Sequence, residues 1–290
     1  MIYRIFLLVI MITCVFIIAP TYASHSTITE VEGYSCMGVD KSRKETEQLA
    51  LEDAKRKAVE NTLTYIKSET KIQNAKLEKD ILEAYANANV VVLERKLDSW
   101  YKDDRSGDCY KLTIKAEIVP DEKAMKQDEN IDADNPVLPL KIKLWTNKKE
   151  YTIGEKMKIY LKGNKPFYVR LIYKDARGHL VQLLPNPYRR DNYFHGGIIY
   201  EVPSGDDRFE LEVCPPCGEE NLIVYASTSQ LGDIELEESK ELLGVYEIKT
   251  KGIDIGTKTR GVKVEPVQLR KTDKLPLAEF YEVEAKVRTK

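Results

Sequence analysis

The stretch "PFYVRLIYKDARGHLVQLLPN", residues 166–186, decides the fold. Its apolar runs "FYVRLIY" and "LVQLL" are set apart by Asp, Gly, Pro and Asn, the pattern of short strands separated by turns. The pattern repeats on both sides. "LPLKIKLW" alternates Leu138, Leu140, Ile142 and Leu144 with polar or exposed partners, and "KMKIYLK" alternates Met157, Ile159 and Leu161 with lysines and a tyrosine. "IIYEV", "RFELEV" and "LIVYAS" continue the series. Such spacing predicts an antiparallel sandwich or barrel. "FYEVEAKV" (280–287) is expected as a further strand with Tyr281, Val283, Ala285 and Val287 facing inward.

Between these strands, "ELEESKELLGVY" reads as a short helix. "KTKGIDIGTKTRGVKVEPVQLRKTDK" (249–274) carries eight basic against three acidic residues. It is a solvated loop or a contact for a polyanion.

Upstream, "DEKAMKQDENIDADNPV" (121–137) has six acidic and two basic side chains and little to bury, and reads as a linker. Before it the period changes. "TEVEGYSCMG" (29–38) has strand composition, and Ser42 with Glu45 three positions on forms a capping box. "LALEDAKRKAVENTLTYI" then places Leu51, Ala54, Ala58, Leu63 and Ile66 near one helix face. A second helix is predicted from Ala75 to Ala88, with Leu77, Ile81, Ala84 and Tyr85 in register. "VVVLERKLDSWYKD" and "DCYKLTIKAEIV" alternate as two strands joined at Asp104-Arg105-Ser106-Gly107. The fold class is therefore α+β: a small α/β interaction domain of order β-α-α-β-β over 29–120, the linker over 121–137, and an antiparallel β-sandwich over 138–290.

At the N-terminus, Arg4 precedes an apolar run from Ile5 to Ile18 and then Ala19-Pro20-Thr21-Tyr22-Ala23. This reads as a signal peptide over 1–23. Retention as an anchor is the alternative, although the run is short of the roughly 20 residues a span requires. Cys14 lacks the small residues that precede a lipidated cysteine. The expectation is a periplasmic or secreted protein with no transmembrane span after cleavage, beginning with a disordered stretch that contains His25. Loss of Arg4 moves the net charge from −2 to −3, a balance without general attraction for nucleic acid.

Cys36, Cys109, Cys214 and Cys217 remain after cleavage. An even count in an oxidising compartment argues for pairing, with three connectivities open. Cys36 with Cys109 and Cys214 with Cys217 are the nearest partners. Cys214-Pro215-Pro216-Cys217 also has the spacing of redox-active dithiols, but that chemistry needs the first thiol at a helix N-terminus, where the dipole lowers its pKa, and the motif falls between apparent strands. A structural disulfide is expected there, with thiol redox activity or metal binding as alternatives.

The loop after "LVQLL" carries Tyr188, Arg189, Arg190, Asn192, Tyr193, Phe194 and His195 between the strand-stopping Pro185-Asn186-Pro187 and Gly196-Gly197. Aromatic surface with fixed donors suits recognition of a protein or glycan. The plainer alternative is a long hairpin loop whose rings cover the end of the core. His195 near Asp191 resembles a base with its orienting acid, but no nucleophile stands beside it. HExxH, GxSxG, P-loop and GxGxxG patterns are absent. No catalytic residue, cofactor or metal is expected.

On the strength of "VEGYSCMG" with Gly33, "ALEDAKRKAV" with Asp53-Ala54, and the closing strands, residues 29–119 resemble the N-terminal domain of the flagellar assembly protein T family and related small outer-membrane-associated lipoproteins. The resemblance implies an exported, non-enzymatic scaffold. "YTIGEKMKIYLKG", the opening stretch, and "IYEVPSGDDRFELEVCPPCGEENLIVYAST" resemble the domain-of-unknown-function 4384 family over 140–232. That likeness implies an accessory domain without established catalytic residues. The functional expectation is an exported non-enzymatic module that binds or assembles with an envelope protein or polymer. The alternative is a periplasmic thiol-disulfide oxidoreductase using the CPPC motif.

Overall fold

The computed structural model describes residues 23–69, 75–121, 134–239, 245–250, 252–260 and 277–290. The expected signal peptide before Ala23, linker residues 122–133, and residues 251 and 261–274 of the basic stretch lie outside the described residues. Among the described residues, no helix is long and apolar enough to cross a membrane.

Strand β1 (Ala23–Cys36), helices α1 (Arg43–Glu69) and α2 (Ala75–Ala86), and the hairpin β2 (Asn89–Asp103) and β3 (Gly107–Val119) give the expected β-α-α-β-β order. The Ser42 hydroxyl caps α1 by accepting the Glu45 N–H at 3.2 Å, satisfying a donor that the first helical turn leaves free. The buried stripe of α1 runs through Ala50, Ala54 and Ala58, with Leu51 and Leu63 only partly covered. It packs over Leu112, Ile114 and Ile118 of β3, alongside Ile81 and Tyr85 of α2. Each buried branched side chain contributes roughly 1.5–3 kcal/mol. Leu77 lies outside the described side chains.

The small stripe lets α1 lie directly on β1. Two of its polar neighbours then close the edge of that strand. Asp53 Oδ2 accepts the Tyr34 N–H at 3.1 Å, and Lys57 Nζ donates to the Glu32 carbonyl at 3.1 Å. In the hairpin turn, Asp103 Oδ1 accepts from Arg105 N–H and Ser106 N–H. Gly107 then takes φ +75°, a conformation that favours glycine.

Downstream follow β4 (Ile142–Thr146), β5 (Glu150–Tyr151), β6 (Ile159–Gly163), β7 (Phe167–Lys174), β8 (Leu180–Leu184), β9 (Tyr193–Phe194), β10 (Tyr200–Val202), β11 (Glu219–Ser227), β12 (Leu236–Glu238), β13 (Tyr246–Ile248), α3 (Gly252–Thr259) and β14 (Ala278–Thr289). A small sheet has the order β10-β6-β4 and a large one β12-β13-β8-β7-β11-β14-β1-β3-β2, with β5 and β9 attached beside β14 and β7. The pairings are antiparallel except that of β5 with β14. Ile142, Ile159, Leu161 and Val202 of the small sheet share a core with Val169, Leu171, Val224, Tyr281 and Val283 of the large one. Val287 completes that face and Ala285 packs against it, as the alternation in 280–287 predicts.

β14 joins the two parts of the chain. It pairs with β11 on one side and with Ala23–Ile28 of β1 on the other. At this junction the buried Glu279 carboxylate accepts from the Leu140 N–H, from Lys165 Nζ at 2.9 Å and from the Tyr65 hydroxyl at 3.4 Å.

Three expectations are corrected. The N-terminal stretch around His25 is the start of β1, with His25 opposite Tyr281 and the two rings edge-to-face at 4.6 Å. The expected helix at 235–246 is the β12–β13 hairpin in its described residues, because Tyr246 and Glu247 find ladder partners on β8 and Ile248 is buried; residues 240–244 lie outside the description. "RFELEV" forms no continuous strand. It is held to residues 154–157 by a single bridge, Lys156 with Glu212, by the Leu211 and Val213 carbonyls, which accept from the Met157 and Gly154 N–H, and by the Val213 N–H, which donates to the Glu155 carbonyl.

Candidate functional site

The loop between β8 and β10 is built on Asn186. This buried side chain accepts from Tyr188 N–H at 2.9 Å and Arg189 N–H at 2.8 Å, and donates to the Leu183 carbonyl at 2.7 Å. Its amide oxygen and its amide nitrogen therefore both shape the turn. Further on, Asn192 Nδ2 donates to the Val169 carbonyl at 3.0 Å, tying the loop to β7. Gly196 passes so close to Lys165 that a β-carbon on it would fall 2.5 Å from the Lys165 Cα.

Arg189 turns inward. Its Nη1 meets Asp207 Oδ2 at 2.9 Å, with only 17% and 8% of the two side chains exposed, and its guanidinium lies 5.1 Å over the Phe194 ring. Phe194 is itself core, stacked on Tyr200 at 4.3 Å and edge-on to Phe167. Of the seven expected contact residues, Arg189, Asn192 and Phe194 thus brace the loop. Tyr188, Arg190, Tyr193 and His195 are exposed. Tyr188 stacks on Phe209 at 6.4 Å, and a cavity of about 110 Å³ opens beside them over Leu183, Gln182 and Leu211.

His195 does not form the acid-base pair with Asp191. Asp191 Oδ1 accepts the Tyr193 N–H, while the His195 ring rests edge-on against Tyr193 at 5.4 Å. Asp207 and Phe209 are parts of the site that the pattern of the loop alone does not indicate. The signal available for Asp207 is the acidic pair Asp206-Asp207 in the turn after Val202-Pro203.

The cysteines divide. Cys36 and Cys109 face each other across β1 and β3 and form a disulfide, with 3.9 Å between their Cα atoms. Cys214 and Cys217 are exposed free thiols, so the expected second disulfide is not formed. Their flanks are held by different elements: Val213 by Gly154 and Glu155, and Gly218 by Thr289. No helix begins at the motif. Among the described residues, no group of three or more His, Cys, Asp or Glu side chains is placed to hold a metal ion.

This β-rich segment, from the edge of β5 through β11, is the part with recognisable relatives. Residues 150–230 match the family model of a domain of unknown function, DUF4384. The matched segment contains β5–β11, the braced loop and the Cys-Pro-Pro-Cys turn. No curated protein and no solved structure matches the chain.

Proposed function

We propose that the protein is an exported, non-enzymatic binding or assembly module of the cell envelope, and that it contacts its partner through the loop after β8. The observation that carries this reading is the division of labour within the loop. Asn186, Arg189 and Phe194 spend their bonding on holding it still, which leaves Tyr188, Arg190, Tyr193 and His195 displayed on a rigid frame. Aromatic and arginine side chains presented on a backbone that is already ordered are the residues that dominate protein interfaces. The cavity beside Tyr188 offers a place for an anchoring group of an envelope protein or polymer. The resemblance read from the sequence of residues 29–119 to the N-terminal domain of the flagellar assembly protein T family motivates an accessory role, and the DUF4384 match over residues 150–230 assigns no activity.

The test is a triple variant, Tyr188→Ala, Arg190→Ala and Tyr193→Ala, compared with the parent in capture from the envelope fraction. Arg189 is left intact because it supports the loop. The expected outcome is loss of partner capture with a stability change of no more than about 1 kcal/mol, since exposed substitutions of this kind cost little. Undiminished capture by a folded variant removes the loop from the contact.

A further inference from the structure

The Cys-Pro-Pro-Cys turn is followed by a hydrogen-bonded chain that ends on one buried carboxyl, while the residue before the turn is held elsewhere. Before the turn, the Val213 carbonyl accepts the Gly154 N–H at 2.8 Å and the Val213 N–H donates to Glu155 at 2.9 Å. After it, the Gly218 N–H donates to Thr289 Oγ1 at 3.0 Å, and the Thr289 hydroxyl donates to Glu220 Oε1 at 2.9 Å. Glu220 is wholly buried. Cys217 is therefore followed directly by a two-bond chain that ends on this carboxyl. From the other side Tyr173 of β7 reaches the same group. Tyr173 is opposite Leu222 in the ladder and so shares a face with Glu220; burial pushes its phenol above the ordinary tyrosine range, and nearby Glu220 adds to the effect.

The two cysteine pairs differ in accessibility. Cys109 is wholly buried in its disulfide, whereas Cys214 and Cys217 are both exposed thiols. Thiol-disulfide exchange requires access to sulfur. The Cys36–Cys109 bond spans a sequence separation of 73 and removes much unfolded-state freedom, while a ring closed across two intervening residues removes far less.

From this arrangement we infer that Cys214 and Cys217 form a reversible thiol-disulfide exchange site, taking the disulfide of a small-molecule or protein thiol as co-reactant, with its redox balance set by the Gly218–Thr289–Glu220–Tyr173 chain. One cysteine thiolate attacks a sulfur of the co-reactant RSSR; a mixed disulfide forms as the RS–SR bond breaks, and RS⁻ leaves and takes up a proton. The second cysteine, having released its proton to solvent, attacks the protein sulfur of the mixed disulfide and expels the other RS⁻, which is also protonated. Two protein thiols and RSSR become one protein disulfide and two RSH. Excess RSH reverses the sequence. Closure shifts Cys217 and hence Gly218, so Thr289, Glu220 and Tyr173 act as positioning residues.

The test equilibrates the purified protein with graded mixtures of reduced and oxidised glutathione and counts free thiols by maleimide mass tagging. Two thiols are expected to disappear together, within one chain, and to return on reduction while Cys36–Cys109 stays closed. Of Cys214→Ser and Cys217→Ser, at least one is expected to accumulate a mixed disulfide with glutathione. Tyr173→Phe removes only a hydroxyl, and is expected to move the half-oxidation ratio by about threefold or more, as is Glu220→Gln. Two thiols that survive oxidised glutathione, or that link only between chains, overturn the site. An unchanged half-oxidation ratio in folded Tyr173→Phe and Glu220→Gln proteins overturns the role of the buried chain.

Discussion

Gly33 of β1 lies so close to α1 that a β-carbon placed on it would stand 2.2 Å from the Ala50 carbonyl oxygen and 2.5 Å from the Ala54 nitrogen. Both neighbours are backbone atoms inside a helix, so neither can swing aside. Gly33→Ala must push α1 off the sheet, where Ala54 and Ala58 are wholly buried. The expected loss is at the upper end of the range for overpacked cores, about 3 kcal/mol, read as a lowered thermal midpoint. Gly205→Ala, where the same atom meets nothing within 4 Å, is the control and is expected to leave the midpoint nearly unchanged.

That contact also marks where local sequence stops being informative. The Ser42 cap, the hairpin turn at Gly107 and the alternation of β6 and β7 depend on residues a few positions apart, and all are readable from their order. The extension of β1 to Ala23 is not. It depends on β14, more than 250 residues away, and the polar His25, Ser26 and Thr27 give no apolar alternation to announce it. In the loop after β8 the stops at Pro185-Asn186-Pro187 and Gly196-Gly197 are legible, but seven similar side chains cannot be sorted into inward and outward without Asp207 and Phe209 opposite them. Likewise, the spacing of Cys214 and Cys217 does not reveal that their flanks are anchored to different elements.

The Cys36–Cys109 bond closes the long arc that contains α1, α2 and β2. Replacing both cysteines by serine is expected to lower stability by about 4 kcal/mol, chiefly by freeing the unfolded chain. Urea titration checks this. Full reduction should bring the parent protein down to the level of the variant.

His25 makes stability fall in mild acid. Burial, then the charge of Lys141 and more weakly that of Lys165, outweigh a raising hydrogen bond to the Leu140 backbone and lower its pKa to about 4. An unfolded histidine titrates near about 6.5, so on acidification the unfolded chain takes up the proton first. The contribution is therefore complete above the unfolded value and is lost as pH falls toward 4. Because His25 as a whole is only half-buried, the loss is expected to be about 2 kcal/mol. His25→Phe keeps a ring against Tyr281 and should flatten this part of the stability profile; denaturant midpoints measured at intervals between neutral pH and pH 4 decide it.

Arg189 and Arg190 are neighbours in sequence with opposite roles. Arg189→Ala leaves the buried Asp207 carboxylate with the Ser204 N–H, at 2.7 Å, but without its cation, and removes the guanidinium from the Phe194 ring. Stripping one partner from a largely desolvated pair is expected to cost about 2–3 kcal/mol. Arg190 is exposed, and its replacement should stay within about 0.5 kcal/mol. A double-mutant cycle with Asp207→Asn separates the ion pair from the ring contact: a coupling near zero would place the effect of Arg189 on Phe194 alone, whereas a coupling above about 1 kcal/mol assigns it to Asp207. The same measurement bears on recognition. If Arg189 proves to support the loop and Arg190 does not, a partner that loses affinity for Arg190→Ala is touching the surface itself rather than responding to a disturbed frame.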